Sequence, residues 1–255
     1  MILFLRILTG FLFVLSTLCY SASSVLVWPV YPIIEADQNA VPLWLENRGT
    51  SNVTLQIRVL AWKQHDMKDR YADQNNTVAS PPFTTIPPGQ RQLVRLMRVK
   101  PVAQGREESY RIIIDELPSP GQEQKPNDVG LKLQMRYVLP LFLDGPGIWT
   151  KVRSDKPGRN PDSATKPVLS WRIVNKSLII RNQGAVHARL TNVYWGNSSE
   201  DKAPALKMSS GLLGYILPGQ EMKWSLPSGR TAPVGKRLFA QLADNTLPIV
   251  IPPAN

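Results

Sequence analysis

A length of 255 residues and a hydrophobic fraction of 43% suit a soluble globular protein of one large or two ordinary domains. The 23 prolines and 16 glycines, scattered between short runs rich in Val, Ile, Leu and Trp, favour an all-β protein with many turns. The formal charge of +11 is dispersed and lacks an aromatic-basic array, which argues against nucleic acid and leaves an acidic partner, an envelope surface or plain solubility.

Met1–Ala22 carries one charge, Arg6, ahead of an apolar run from Ile7 to Val14 that continues through Leu18 into small residues. This is the layout of a cleaved secretory signal peptide, with the cut expected within Ser21–Ser23. The run is short for a membrane anchor, and no later segment approaches the ~20 apolar residues that a spanning helix needs, so no direct membrane insertion is expected. The single cysteine, Cys19, lies inside this segment. The mature chain therefore has no disulfide and depends on hydrophobic cores. Leu18 is too large for the position before a lipidated cysteine.

Val25–Ile34 is β-rich but interrupted by Pro29 and Pro32, which predicts an edge strand or one that switches between sheets. Val41–Glu46 is the next strand, followed by an Asn47-Arg-Gly49 turn. Val53–Trp62 alternates Val53, Leu55, Ile57, Val59 and Ala61 on one face, the pattern of a long half-buried strand. Lys63–Thr77 reads as a polar loop. Ser80-Pro-Pro-Phe83 and Ile86-Pro-Pro-Gly89 bracket a short strand, and Gln90–Val99 and Ser109–Leu117 are two more.

Asp128–Phe142 follows a polar Pro/Gly loop at Ser119–Asn127. Its large apolar residues Val129, Leu131, Leu133 and Met135 recur at a period of two, which places them on one face of a strand. About seven strands in roughly 120 residues is the signature of an immunoglobulin-like sandwich. After the break at Asp144-Gly-Pro-Gly147 and a polar Lys151–Lys166 segment, short strands resume. They are Val168–Val174, Ser177–Arg181, His187–Trp195, Leu213–Leu217, Met222–Leu226, Arg237–Ala243 and Ile249–Ile251. The expected division is residues 1–22 as signal, 23–145 as the first sandwich and 146–255 as the second.

Catalytic chemistry finds little support. The two histidines, His65 and His187, fall in different domains, and with no mature cysteine a His/Cys zinc site is excluded. His65 sits in a charged loop, and His187 just after a turn reads as structural. No nucleophile elbow, phosphate loop or dinucleotide fingerprint is present. Asp115-Glu116 is an acidic pair, but adjacent strand residues face opposite ways and cannot serve one site. The seven tryptophans lie mostly within apolar strands and read as core. Arg111 and Arg136 each interrupt a strongly apolar strand. They either snorkel outward or converge on an anion, whose carboxylate the planar guanidinium fork fits.

Several motifs in fixed order resemble the PapD-like periplasmic chaperones of the chaperone-usher pathway, which assemble pili in Gram-negative bacteria. They begin with the two Pro-Pro turns, Val94-Arg-Leu96, Arg106-Glu-Glu-Ser-Tyr110 through Asp115-Glu-Leu-Pro118, and the alternating strand into Leu139-Pro-Leu-Phe142. Asn182-Gln-Gly184, His187-Ala-Arg-Leu190 and Gly214-Tyr-Ile-Leu-Pro-Gly219 continue the pattern in the second half. The resemblance implies two immunoglobulin-like β-sandwich domains in an L or boomerang, with no catalysis, cofactor or metal. It implies partners too: pilus or fimbrial subunits bound by donor-strand complementation in the periplasm, then delivered to an outer-membrane usher. The lent strand is the last of the first domain, with Val129, Leu131, Leu133 and Met135 filling the subunit groove.

One departure stands out. The family's basic anchors for the subunit carboxylate fall near Tyr31 and Pro140, and a basic residue after the Leu-Phe pair is replaced by Asp144. Together with the Trp28-Pro and Tyr137-Val-Leu-Pro140 pieces, this resembles the divergent archaic or alternative branch. Arg111 and Arg136 are then expected to take over the carboxylate. The alternating face also leads us to expect self-association of the free protein. The competing readings are a secreted pilin or adhesin-like structural protein, and a carbohydrate-active or sugar-binding module.

Overall fold

A computed structural model of the chain describes residues 25–118, 134–151, 153 and 155–254. Strands dominate it, and among the described residues the one helical element is a 3-10 turn at Pro161–Ser163. In the first sandwich, β1 (Val25–Trp28), β3 (Ala40–Asn47), β8 (Arg91–Arg98) and β6 (Thr77–Ser80) form one sheet in that spatial order. The facing sheet runs β2 (Ile33–Ile34), β10 (Arg136–Asp144), β9 (Glu107–Leu117), β4 (Val53–His65), β5 (Lys68–Ala72), and β7 (Phe83–Ile86) also pairs with β4.

The proline-broken segment behaves as its composition dictates. β1 pairs antiparallel with β3, whereas β2 pairs parallel with β10 in the other sheet. Pro29 and Pro32 lie in the crossing between them, where no ladder donor is required.

β4 follows its alternation. Val53, Leu55 and Ile57 are buried, and they pack with Ile112 and Ile114 of β9 and with Leu139, Leu141 and Leu143 of β10 in the first core. Where a loop was expected after Trp62, β4 instead continues to His65 and turns back into β5. Asp66 and Met67 make that turn with φ of 53° and 58°, the left-handed pair that a two-residue hairpin needs. His65 therefore ends a strand, with its side chain exposed.

In the second sandwich, β11 (Leu169–Val174), β12 (Ser177–Asn182) and β15 (Glu221–Ser225) face a sheet ordered β14 (Leu206–Ile216), β13 (Ala188–Gly196), β16 (Arg237–Gln241), β17 (Ile249–Ile251). β14 begins at Leu206, earlier than Leu213, because its pairing with β13 is interrupted by register shifts that break the apolar alternation. Trp195 is buried at the centre of the second core. The reading of the tryptophans as mostly core needs correction, since Trp28, Trp44, Trp149, Trp171 and Trp224 are only partly buried.

Each sandwich repeats one polar device. Asn47 is fully buried, donates through Nδ2 to the carbonyls of Ser51 and Ile86, and accepts from Gly49 N–H. Asn182 does the same with Val186, Ile216 and Gly184. At Gly184 a Cβ would lie 2.7 Å from Val168 N, so the Asn-x-Gly spelling is set by both hydrogen bonding and space.

A third, smaller cluster belongs to both sandwiches. Ile33, Trp62 and Phe142 of the first pack against Leu217 of the second, with Tyr31 and Tyr215 at the margin. Gln64 locks the same junction from β4. Its Nε2 donates to the Tyr215 carbonyl at 2.9 Å and its Oε1 accepts from Leu217 N–H at 2.9 Å.

Candidate functional site

On β9 the even positions Tyr110, Ile112 and Ile114 enter the core, so Arg111, Ile113 and Asp115 share the opposite face. The register with β10 sets Asp115 opposite Arg136, Ile113 opposite Val138 and Arg111 opposite Pro140. Arg111 and Arg136 thus share a face of neighbouring strands but lie four residues apart along the sheet, about 13 Å.

Their surroundings differ. Arg136 Nε pairs with Asp115, which also accepts from Arg58 Nη2 at 2.8 Å. Burial raises the Asp115 carboxyl, but the hydrogen bonds from Arg136 and Arg58 outweigh that and hold it below its ordinary range. Arg111 instead lies flat on Trp62, with its guanidinium carbon 3.6 Å from the ring centroid and 5.3 Å from that of Tyr215. Its Nε is buried without a hydrogen-bond partner. Among the described residues no carboxylate forms an ion pair with Arg111.

Both arginines line a cleft of about 600 Å³ between the sandwiches. Its far wall comes from the second sandwich and supplies Arg189 of β13, Tyr215 of β14 and Asp244. Arg189 Nη1 donates to Asp244 Oδ1 at 2.7 Å, and its guanidinium carbon is 5.7 Å from the Tyr31 ring.

Burial, with a further contribution from Tyr215, pushes the Tyr31 hydroxyl well above the phenol range, and burial likewise raises Tyr215. Both phenols keep their protons at neutral pH. Arg111, Arg189 and Tyr215 thus bring two guanidiniums and a phenol to one cleft, donors of the chemistry that suits an oxyanion.

Sequence reasoning did not find Arg189 or the role of Tyr31 as a cleft residue. It found Arg111 and Arg136 as charges within apolar strands, and both line the cleft. Met135 precedes β10 and is 42% exposed. It shares the parity of Tyr137, Leu139, Leu141 and Leu143, which pack into the first core, so it continues their row past the end of the core. Val129, Leu131 and Leu133 lie outside the described residues.

His187, from the second sandwich, stands behind the cleft. Its Nδ1 is 2.8 Å from Glu107 Oε2, its Nε2 is 3.2 Å from the Tyr31 hydroxyl, and its backbone N–H donates to Glu107 Oε1. Beside Glu107 in the ladder, Asp144 is fully buried with neither carboxyl oxygen hydrogen-bonded. Burial, then the charges of Glu107 and Glu35, push its carboxyl up to about 7. Among the described residues no cluster of three or more His, Cys, Asp or Glu could hold a metal ion.

Residues 29–148 match the family model for the N-terminal domain of PapD, a pili and flagellar-assembly chaperone. No curated protein matches the chain by sequence. Among solved structures, a chain of the CsuC–CsuE chaperone–tip adhesion subunit pre-assembly complex, from archaic chaperone-usher Csu pili of Acinetobacter baumannii, is 30% identical. That match covers 91% of this chain and 100% of the other, with a TM-score of 0.71.

The E. coli chaperone DraB (18% identity, 87% and 92% coverage, TM-score 0.59) shares the fold. So does a chain of the Salmonella enterica SafA pilin–SafB chaperone complex (16% identity, 90% and 96% coverage, TM-score 0.62). These relatives set aside the readings as a pilin or a sugar-binding module. With its two immunoglobulin-like sandwiches, the chain belongs to the PapD-like chaperones of pilus assembly, on their archaic branch.

Proposed function

We propose that this chaperone works in the periplasm, completes the sandwich of a pilus subunit with the segment leading into β10, and hands the subunit to an outer-membrane usher. An incomplete subunit exposes a hydrophobic groove and unpaired edges, an aggregation hazard until filled. Met135 supplies one exposed apolar side chain at the head of the β10 row. With their period of two, Val129, Leu131 and Leu133 extend that row into the subunit groove. Each buried side chain contributes roughly 1.5–3 kcal/mol before ordering costs. On this reading the chain divides near residue 145, after a signal segment at 1–22.

The subunit's terminal carboxylate docks in the cleft on Arg111 and Arg189, with the Tyr215 hydroxyl beside them. Arg136, engaged by Asp115, stands at the mouth and steers rather than anchors. The observation that carries this reading is Arg111, a guanidinium stacked on Trp62 with a buried Nε that lacks a partner. Co-expression with the subunit encoded beside the chaperone, followed by purification from the periplasm, tests it. Wild type should yield a one-to-one complex and Arg111→Ala should not. Normal recovery with Arg111→Ala would refute the anchor, and failure to stabilise any such subunit would refute the whole reading.

A further inference from the structure

Arg189 is the second guanidinium of the cleft, and it is already occupied. Its side chain is 19% exposed, while the Asp244 carboxylate that holds it is 77% exposed. Asp244 lies in the connection after β16, outside any strand, so no ladder fixes its position. Among the described residues its one ion pair is to Arg189. Asp115, the other acidic partner beside the cleft, differs on each count: it sits within β9, is 14% exposed and is held by two guanidiniums. Asp244 is also close enough to Tyr31 and Tyr215 for its charge to act on both phenols. A carboxylate of the protein's own thus stands among the donors of the cleft, and it can swing into water for the loss of one exposed ion pair.

We propose that Asp244 is a resident surrogate for the ligand: it occupies Arg189 in the free protein and is displaced by the terminal carboxylate of a bound subunit. This rests on the reading of the cleft as a carboxylate site. The surrogate keeps Arg189 aimed into the cleft and raises the threshold equally for every anion, so stray small anions bind poorly. A subunit that also engages the β10 segment passes that threshold. Asp244 then remains beside the bound carboxylate, ready to retake Arg189 when the subunit is passed on.

The test uses the full mature chain with N-acetyl-glycyl-glycine and its C-terminal amide as probes, read by NMR at the arginine Nε–H groups. Asp244→Asn preserves shape and removes the charge at an exposed position, and a denaturation curve checks that the variant folds as wild type does. The expected result is that wild type prefers the acid, that Asp244→Asn binds the acid about two- to fivefold more tightly, and that Arg189→Ala abolishes this gain. If wild type prefers the acid and Asp244→Asn binds it no better, the surrogate role is overturned while the carboxylate reading stands. If neither protein prefers the acid to the amide, the carboxylate reading falls and the proposal with it.

Discussion

The imidazole of His187 lies flat on the ring of Phe142, with centroids 3.4 Å apart and planes 1° from parallel. Phe142 belongs to β10, the last strand of the first sandwich, and His187 belongs to the second sandwich. The stack therefore ties β10 directly to the other domain.

Replacing Phe142 should disturb both sandwiches together. Its side chain is fully buried, and its ring also contacts Trp62, Tyr31 and Tyr215. Phe142→Ala is expected to cost about 3–5 kcal/mol, read as a lower midpoint in chemical denaturation. Phe142→Leu should recover part of the loss.

Asp144 gives the fold a pH dependence of unusual sign for a carboxylate. Its folded-state value of about 7 lies above that of the unfolded chain. Between about pH 4 and 7 the folded protein keeps a proton that the unfolded chain releases, so this contribution to stability falls as pH rises and levels off above 7. Asp144→Asn should be more stable than wild type at pH 8, by an amount on the order of 4 kcal/mol at most, and the two should converge near pH 4. A constant difference across that range would show that Asp144 is ionised throughout.

The two sequence-assigned arginines should separate in subunit recovery. Arg111→Ala removes a shielded donor and is expected to reduce the co-purified complex at least about tenfold. Arg136→Ala removes an exposed group already neutralised by Asp115, and should cost less than about threefold. Equal losses would mean that the subunit draws Arg136 away from Asp115.

Asn47 and Asn182 should be equally intolerant of change. Alanine at either position strips two carbonyls and at least one N–H of their partner in a buried site, and at Asn182 a second N–H, that of Val168, as well. We expect a loss of about 2–4 kcal/mol in each case, measured by urea denaturation of the intact chain.

What could be read from the sequence was whatever obeys a period. β4, β9 and β10 show their buried faces as alternating Val, Leu and Ile, and the prolines mark the crossing between β1 and β2. β5, Lys-Asp-Arg-Tyr-Ala, has no apolar alternation, and the Asp66-Met67 turn lacks the glycine that marks most hairpins, so that strand was hidden. Arg111 was visible because it breaks an apolar run. Arg189 was not, because its meaning depends on a strand 78 positions away, and within His187-Ala-Arg-Leu190 it looks like an ordinary surface residue. The one available signal was that Leu190 is core-facing, which places Arg189 on the opposite face of β13.

Both hydrogen bonds of Gln64 to the second sandwich go to backbone groups, the Tyr215 carbonyl and the Leu217 N–H. Substitutions along β14 leave those two groups unchanged. These two hydrogen bonds are thus insulated from sequence drift in the strand that lines the cleft, so the side chains of β14 can change with the cargo while Gln64 holds the halves together, provided that Tyr215 keeps its place against Trp62 and Phe142.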